Sequence, residues 1–189
     1  MLLENVRLSF PKLFTAEAPA PGQKPKFGAS FLMDPGSDNE KRVKARMQEV
    51  AKEKWGEKAS AIYKTLTAGQ KVCLRDGDTK AEYDGFEGKV FVSASTDKRP
   101  GVFDRDRTPM AEQDGKVYAG CYVNANIEIW AQDNQYGRRI NAQLRGVQFL
   151  ADGDPFGGGG APATADDFPE LEESTGDEWG DTEGGDDWG

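Results

Sequence analysis

The sequence predicts a mainly β domain with one helical segment inserted between strands, followed by a disordered acidic tail. Three observations lead there. Residues 118–145 alternate apolar and polar side chains through a long hairpin. A single amphipathic helix stands near residues 38–55 with strand patterns on both sides. Residues 151–189 hold thirteen carboxylates and no base, too little apolar surface to offset the entropy of ordering.

The tail hides the character of the rest. The chain of 189 residues carries 24 bases and 33 acids, formally −9. All 24 bases but only 20 of the acids lie in residues 1–150, which are therefore formally +4. A mildly basic domain joined to its own polyanion points toward nucleic acid or another polyanion as partner. About 150 residues suit one domain with a full core. Cys73 and Cys121 form no C-x-x-C pair and the chain has no histidine, so a zinc site and histidine-dependent catalysis are excluded. No cofactor is implied. No apolar run approaches the roughly 20 residues that span a bilayer, and no signal-peptide core opens the chain. The expectation is a protein of the host cytoplasm with reduced thiols and no membrane partner.

In chain order, residues 2–10 alternate as a strand that Pro11 should end, with Leu2, Glu4, Val6, Leu8 and Phe10 sharing one side. A second strand at 26–33 puts Phe27, Ala29, Phe31 and Met33 on one face. Ser37 and Glu40 read as a capping box for the helix to Trp55, whose stripe is Val43, Met47, Val50 and Ala51. Its Lys and Arg residues suit a solvated face, with a DNA-facing one as the alternative. A shorter helix follows at about 57–66. Val72–Leu74 and Lys89–Ser95 read as short strands, around a cluster of Tyr83, Gly85, Phe86 and Gly88. Asp76-Gly77-Asp78 lacks the closing glutamate of a calcium loop and is a plain turn. Residues 98–107 form a basic loop and edge strand. The hairpin buries Cys121, Val123, Ala125, Ile127 and Ile129 against Ile140, Ala142 and Leu144. Its other face shows Tyr122, Asn124, Trp130, Arg139, Asn141 and Arg145.

A mostly antiparallel body of this length with one helical insertion fits an OB-type Greek-key barrel. Such barrels hold single strands by cations that follow the phosphates and aromatic faces that stack on bases. The candidate DNA contacts are Tyr83, Phe86, Lys98, Arg99, Phe103, Arg105, Arg107, Tyr122, Trp130, Arg139 and Arg145. Each has a plainer alternative: an outward tryptophan can cover a helix or loop, and Asp97 or Asp104 can pair one of the neighbouring bases. The body's acids are scattered, which argues against a nuclease and against enzymes generally.

The tail repeats two acids followed by an aromatic: Asp166-Asp167-Phe168, Asp177-Glu178-Trp179-Gly180 and Asp186-Asp187-Trp188-Gly189. Solubility alone does not call for tryptophan. A Gly-rich linker, 157–160, precedes the repeats, and a 39-residue coil would reach about 30–40 Å, enough to touch the body.

The opening Leu2–Pro11, the segment Tyr118-Ala119-Gly120-Cys121-Tyr122-Val123-Asn124 and the closing Gly146-Val147-Gln148-Phe149-Leu150 with Asp152-Gly153 together resemble a family of bacteriophage single-stranded DNA-binding proteins. The resemblance implies an OB fold in residues 1–150, sequence-independent binding of single-stranded DNA, and a role in phage replication or recombination. The tail resembles those of other replication single-strand binders. It implies recruitment of polymerase, helicase or nuclease through Phe168, Asp177, Glu178, Trp179, Asp186, Asp187 and Trp188, and competition with DNA. The alternative is a DNA-mimic inhibitor that engages a host enzyme through the tail, the body being a carrier.

Overall fold

A computed structural model describes residues 1–157. The candidate partner-binding residues of the expected disordered tail, from Phe168 to Trp188, lie outside the described residues. Its first residues do not: Ala151 ends the last strand, Arg7 donates to the Asp154 carbonyl, and Phe156 packs against Leu32, Phe86 and Phe91, so 151–157 belong to the folded body.

Seven strands and two α-helices follow in the order β1 (Leu2–Glu17), β2 (Lys26–Met33), α1 (Asp38–Trp55), α2 (Ala59–Ala68), β3 (Leu74–Asp76), β4 (Val90–Thr96), β5 (Gly101–Phe103), β6 (Tyr122–Asn134) and β7 (Gly137–Ala151). Strand β1 pairs antiparallel with β2 on one side and β6 on the other, β2 continues to β4, and β6 to β7. A parallel contact at Ser95 and Gln143 joins β4 to β7 and closes the circuit. Five strands closed in the order β1-β2-β4-β7-β6, with one parallel seam, make an OB barrel. The helices fill the connection between β2 and β4, and β3 and β5 are short additions at the edges of β4 and β7.

The core follows from alternation. Val123, Ala125, Ile127 and Ile129 of β6 meet Ile140, Ala142, Leu144 and Val147 of β7, all buried. Helix α1 adds Val43, Met47, Val50 and Ala51. Ser37 caps it by accepting from the Glu40 amide at 3.4 Å, but Glu40 reaches back to the Gly36 amide (2.6 Å) rather than to that of Ser37. The basic residues of α1 are largely engaged: Lys41 with Asp38, Arg42 with Glu4, Lys44 with Glu40, and Arg46 with Glu49 and Glu53.

Strand β1 departs from simple alternation. Asn5 and Phe10 adopt left-handed backbone conformations (φ 51° and 48°), and the pairing registers shift around them. The bulge at Asn5 changes the phase, so Leu3, Val6 and Leu8 are all buried while Leu2 stays exposed. Phe10 is turned outward, and the strand runs past Pro11 to Glu17, because a proline at a bulge removes no ladder bond that the sheet needs.

Candidate functional site

The outer face of β1, β2 and β4 is a trough floored by small side chains. Pairing aligns Ser9 with Ser30 and Ser30 with Ser93, and sets Gly28 beside Ser95. Ser30 and Ser93 share a hydroxyl hydrogen bond at 3.2 Å. Gly28 is required: a Cβ there would lie 2.7 Å from the Ala94 carbonyl. Arg75 of β3 leans over this floor. Its Nη2 donates to Ser93 Oγ at 3.0 Å, its guanidinium lies 5.1 Å from the Phe91 ring centroid, and its Nε is buried with no partner. Burial, with Arg139 nearby, holds this guanidinium below the usual arginine range.

One end of the trough opens, at the β4–β7 seam, into a groove of about 520 Å³. Lys26, Lys71, Arg75 and Arg139 bring four cations to it, and Trp130, 42% exposed, supplies an aromatic face. Asn141 and Gln143 add amide donors and acceptors. Lys98 and Arg99 stand exposed on the loop that follows β4, beside the groove-lining Asp97. Asp97 pairs with Lys24 and Lys26, and Asp104 pairs with Lys116, so neither carboxylate occupies Lys98 or Arg99. Arg99 instead lies 5.5 Å from the Phe14 ring.

The other end is aromatic. Phe10 and Tyr83, 39% and 44% exposed, meet edge to face at 5.0 Å, and Phe86 and Phe91 continue the stack beneath them. Lys80 Nζ lies 5.4–5.8 Å from all four rings. Burial and the charge of Arg75 hold its ammonium below the usual lysine range. From Trp130 to Tyr83 the face therefore alternates aromatic, cation, small hydroxyls, cation and aromatic.

Phe86 is fully buried against Leu32 and Phe91, so the expectation that it contacts a ligand is corrected: it is the base on which Phe10 and Tyr83 rest. Tyr122 is half-buried beneath the Arg7 guanidinium (5.4 Å) and against Gly153, eight residues along β6 from Trp130. Phe103, Arg107 and Arg145 gather elsewhere, in a separate depression beside β5, and Arg105 is exposed in the turn that follows. Arg145 is paired with Glu128. The sequence thus named Tyr83, Trp130, Arg139, Lys98 and Arg99 along the trough and groove, and missed Phe10, Lys26, Lys71, Arg75 and Lys80. A signal was there: Gly28 and Ser30 alternate with apolar residues on β2, as Ser93 and Ser95 do on β4, leaving one face bare of bulk.

Among the described residues no three or more Cys, Asp or Glu side chains are grouped to hold a metal ion. What the face offers is seats for planar groups and fixed positive charge between them. An OB barrel carrying such a face is of the class that accommodates extended nucleic acid strands.

The chain belongs to the family described as Enterobacter phage Enc34, ssDNA-binding protein, which matches residues 1–179. It is 44% identical over 172 residues to protein p50 of Acyrthosiphon pisum secondary endosymbiont phage 1, covering 89% of this chain and 92% of that one. The single-stranded DNA-binding protein from bacteriophage Enc34, solved in complex with ssDNA, superposes with a TM-score of 0.70 at 28% identity, over 82% of this chain and 88% of that one. The gp2.5 single-stranded DNA-binding protein of bacteriophage T7 shares the fold at 14% identity and a TM-score of 0.53, over 92% of this chain and 96% of that one.

Proposed function

We propose that this protein binds single-stranded DNA along the trough, without sequence preference and without a catalytic step, to coat strands exposed during phage replication or recombination in the host cytoplasm. The observation that carries the reading is the groove that gathers Trp130, Arg139 and Arg75 over Ser93, with Lys80, Phe10 and Tyr83 clustered at the other end of the same sheet face. Phosphates are matched by Lys26, Lys71, Arg75, Lys80, Lys98, Arg99 and Arg139. Bases are matched by Trp130, Phe10 and Tyr83, whose faces accept any base. Ser93 and Ser95, small residues that line the groove, let a backbone approach the sheet closely there. Membership of the phage family and the DNA complex of the Enc34 protein support the same choice of ligand.

The tail is assigned two roles on the same reading. Its acid–acid–aromatic repeats recruit polymerase, helicase or nuclease, and its carboxylates compete with phosphates for the body at the high effective concentration of a tethered ligand. Anisotropy titrations with a labelled oligothymidylate and with a duplex of equal length, at two salt concentrations, test the central part. Tight binding of the single strand is expected, weakening by roughly 0.7 log units per log salt for each phosphate neutralised. A body that ignores single strands at low salt would leave the DNA-mimic inhibitor as the better reading.

A further inference from the structure

The chain does not leave the barrel where β7 ends. Residues 152–157 turn back as a strap against the loop of residues 77–88, which carries Lys80 and Tyr83 to the aromatic end of the trough. The strap is anchored along its length. Tyr118 Oη accepts from the Gly153 amide at 3.1 Å and lies 2.9 Å from Asp152 Oδ1. Arg7 Nη2 donates to the Asp154 carbonyl at 2.6 Å, and its Nε to the Gly120 carbonyl at 3.2 Å. The Phe156 amide donates to Ala119 O at 2.9 Å. Gly120 is required for this fit, because its φ is 108° and a Cβ there would lie 2.2 Å from the Asp154 carbonyl oxygen. The strap ends on the loop. The Phe156 ring packs against Phe86 and Phe91 and covers Gly85, where a Cβ would lie 2.3 Å from it. The Gly157 amide donates to Asp84 Oδ2 at 2.8 Å.

That loop has little else to hold it. Among the described residues, the hydrogen bonds of residues 77–88 stay within 76–89, with the Gly157–Asp84 bond as the exception. Phe86 is the loop's only buried side chain. The strap therefore grips Asp84, Gly85 and Phe86, the three residues that follow Tyr83. We propose that Phe156 is a positioning residue for DNA binding: it holds the Tyr83 loop in the arrangement on which a base stacks, without being a seat itself. With the Arg7 guanidinium 4.5 Å from its ring centroid and Gly85 at its tip, Phe156 is engaged by the protein rather than open to a base. The physical reason is pre-organisation. A seat on a loop that orders only on binding lowers the apparent affinity by the fraction of time the seat is formed. This rests on the trough reading of function and extends the DNA-binding unit from residue 150 to Gly157. The roles assigned to the acidic repeats are independent of it.

Full-length variants test this by oligothymidylate anisotropy and by hydrogen exchange of the free protein. Phe156→Ala should weaken binding about 3- to 30-fold, within the range of coupling between contacting groups, and leave the salt slope unchanged. Phe156→Leu should lie between it and the wild type. In a Tyr83→Ala background, Phe156→Ala should cost less than about twofold, because the seat it positions is gone. In the free Phe156→Ala protein, exchange across residues 82–87 should quicken about 10-fold or more while β6 and β7 keep their protection. Binding by Phe156→Ala as tight as by the wild type overturns the proposal. So does an equal loss in both backgrounds, which would make Phe156 a DNA contact of its own. Faster exchange throughout β6 and β7 overturns it as well, by making the ring a general stabiliser of the barrel. A wild type that ignores oligothymidylate fails the trough reading first and takes this proposal with it, whereas tight wild-type binding with a silent Phe156 fails the proposal alone.

Discussion

Arg75 and Ser93 are joined across the β3–β4 pair by a 3.0 Å hydrogen bond that spends one nitrogen of the guanidinium on the trough floor. The bond fixes the direction of the fork, and the buried Nε is left without a partner. A pre-aimed cation with donors to spare is what a phosphate seat requires.

Removing it should therefore matter more than removing an average surface base. Arg75→Ala should weaken oligothymidylate binding about 10- to 100-fold, as expected for a charge-assisted hydrogen bond of about 1.5–3 kcal/mol, and should lower the salt slope by roughly 0.7. Arg75→Lys should recover only part, since an ammonium cannot copy the fork. Anisotropy at two salt concentrations reads both quantities.

Filling the trough should act without changing charge. Ser30→Leu puts bulk between Ser9 and Ser93 on the outer face. Binding should fall about 10-fold or more while the salt slope of the remaining binding changes little. Thermal unfolding verifies that the barrel is intact.

The aromatic end should contribute stacking. Tyr83→Ala should cost about 1–3 kcal/mol of binding, the range for a base stacked on an aromatic side chain. Phe86→Ala should instead destabilise the fold by about 3–5 kcal/mol, because that ring is fully buried. Paired affinity and denaturant titrations separate the two.

The thiols make a pH prediction. Burial pushes Cys73 up to about 12 and Cys121 up to about 11. Both values lie above the ordinary thiol value near 8.5 of an unfolded chain, so the native state favours the protonated form. That contribution is complete below the unfolded value and is lost as pH rises through 11–12. At pH 8 a thiol reagent should therefore modify neither cysteine in the native protein and both in denaturant, and denaturant midpoints should fall above about pH 9. Rapid native modification would contradict the burial.

Much of the barrel was legible because β6 alternates through Ile129 and β7 from Ile140 to Leu144, and α1 carries a cap and a stripe. The site was less so, for physical reasons. The left-handed residues Asn5 and Phe10 change the phase of β1, and no hydropathy pattern announces a bulge, so simple alternation puts Phe10 with Val6 and Leu8. Phe86 sits in a glycine-rich loop without periodicity, where nothing distinguishes a ring folded back onto Leu32 from one in solvent. The trough itself is assembled from Ser9, Ser30 and Ser93, three small residues far apart in the chain whose significance appears only when pairing aligns them. Arg75 belongs to a strand too short to show a pattern.

The path of the strand is the central claim, and photo-crosslinking reads it directly. Oligothymidylate carrying 5-iododeoxyuridine should, after irradiation and peptide mapping of the full-length protein, mark Trp130 and Tyr83 or Phe10, and Arg75→Ala should reduce the yield at both ends. Adducts confined to Phe103 or Tyr122, with Trp130 and Tyr83 unmarked, would contradict it.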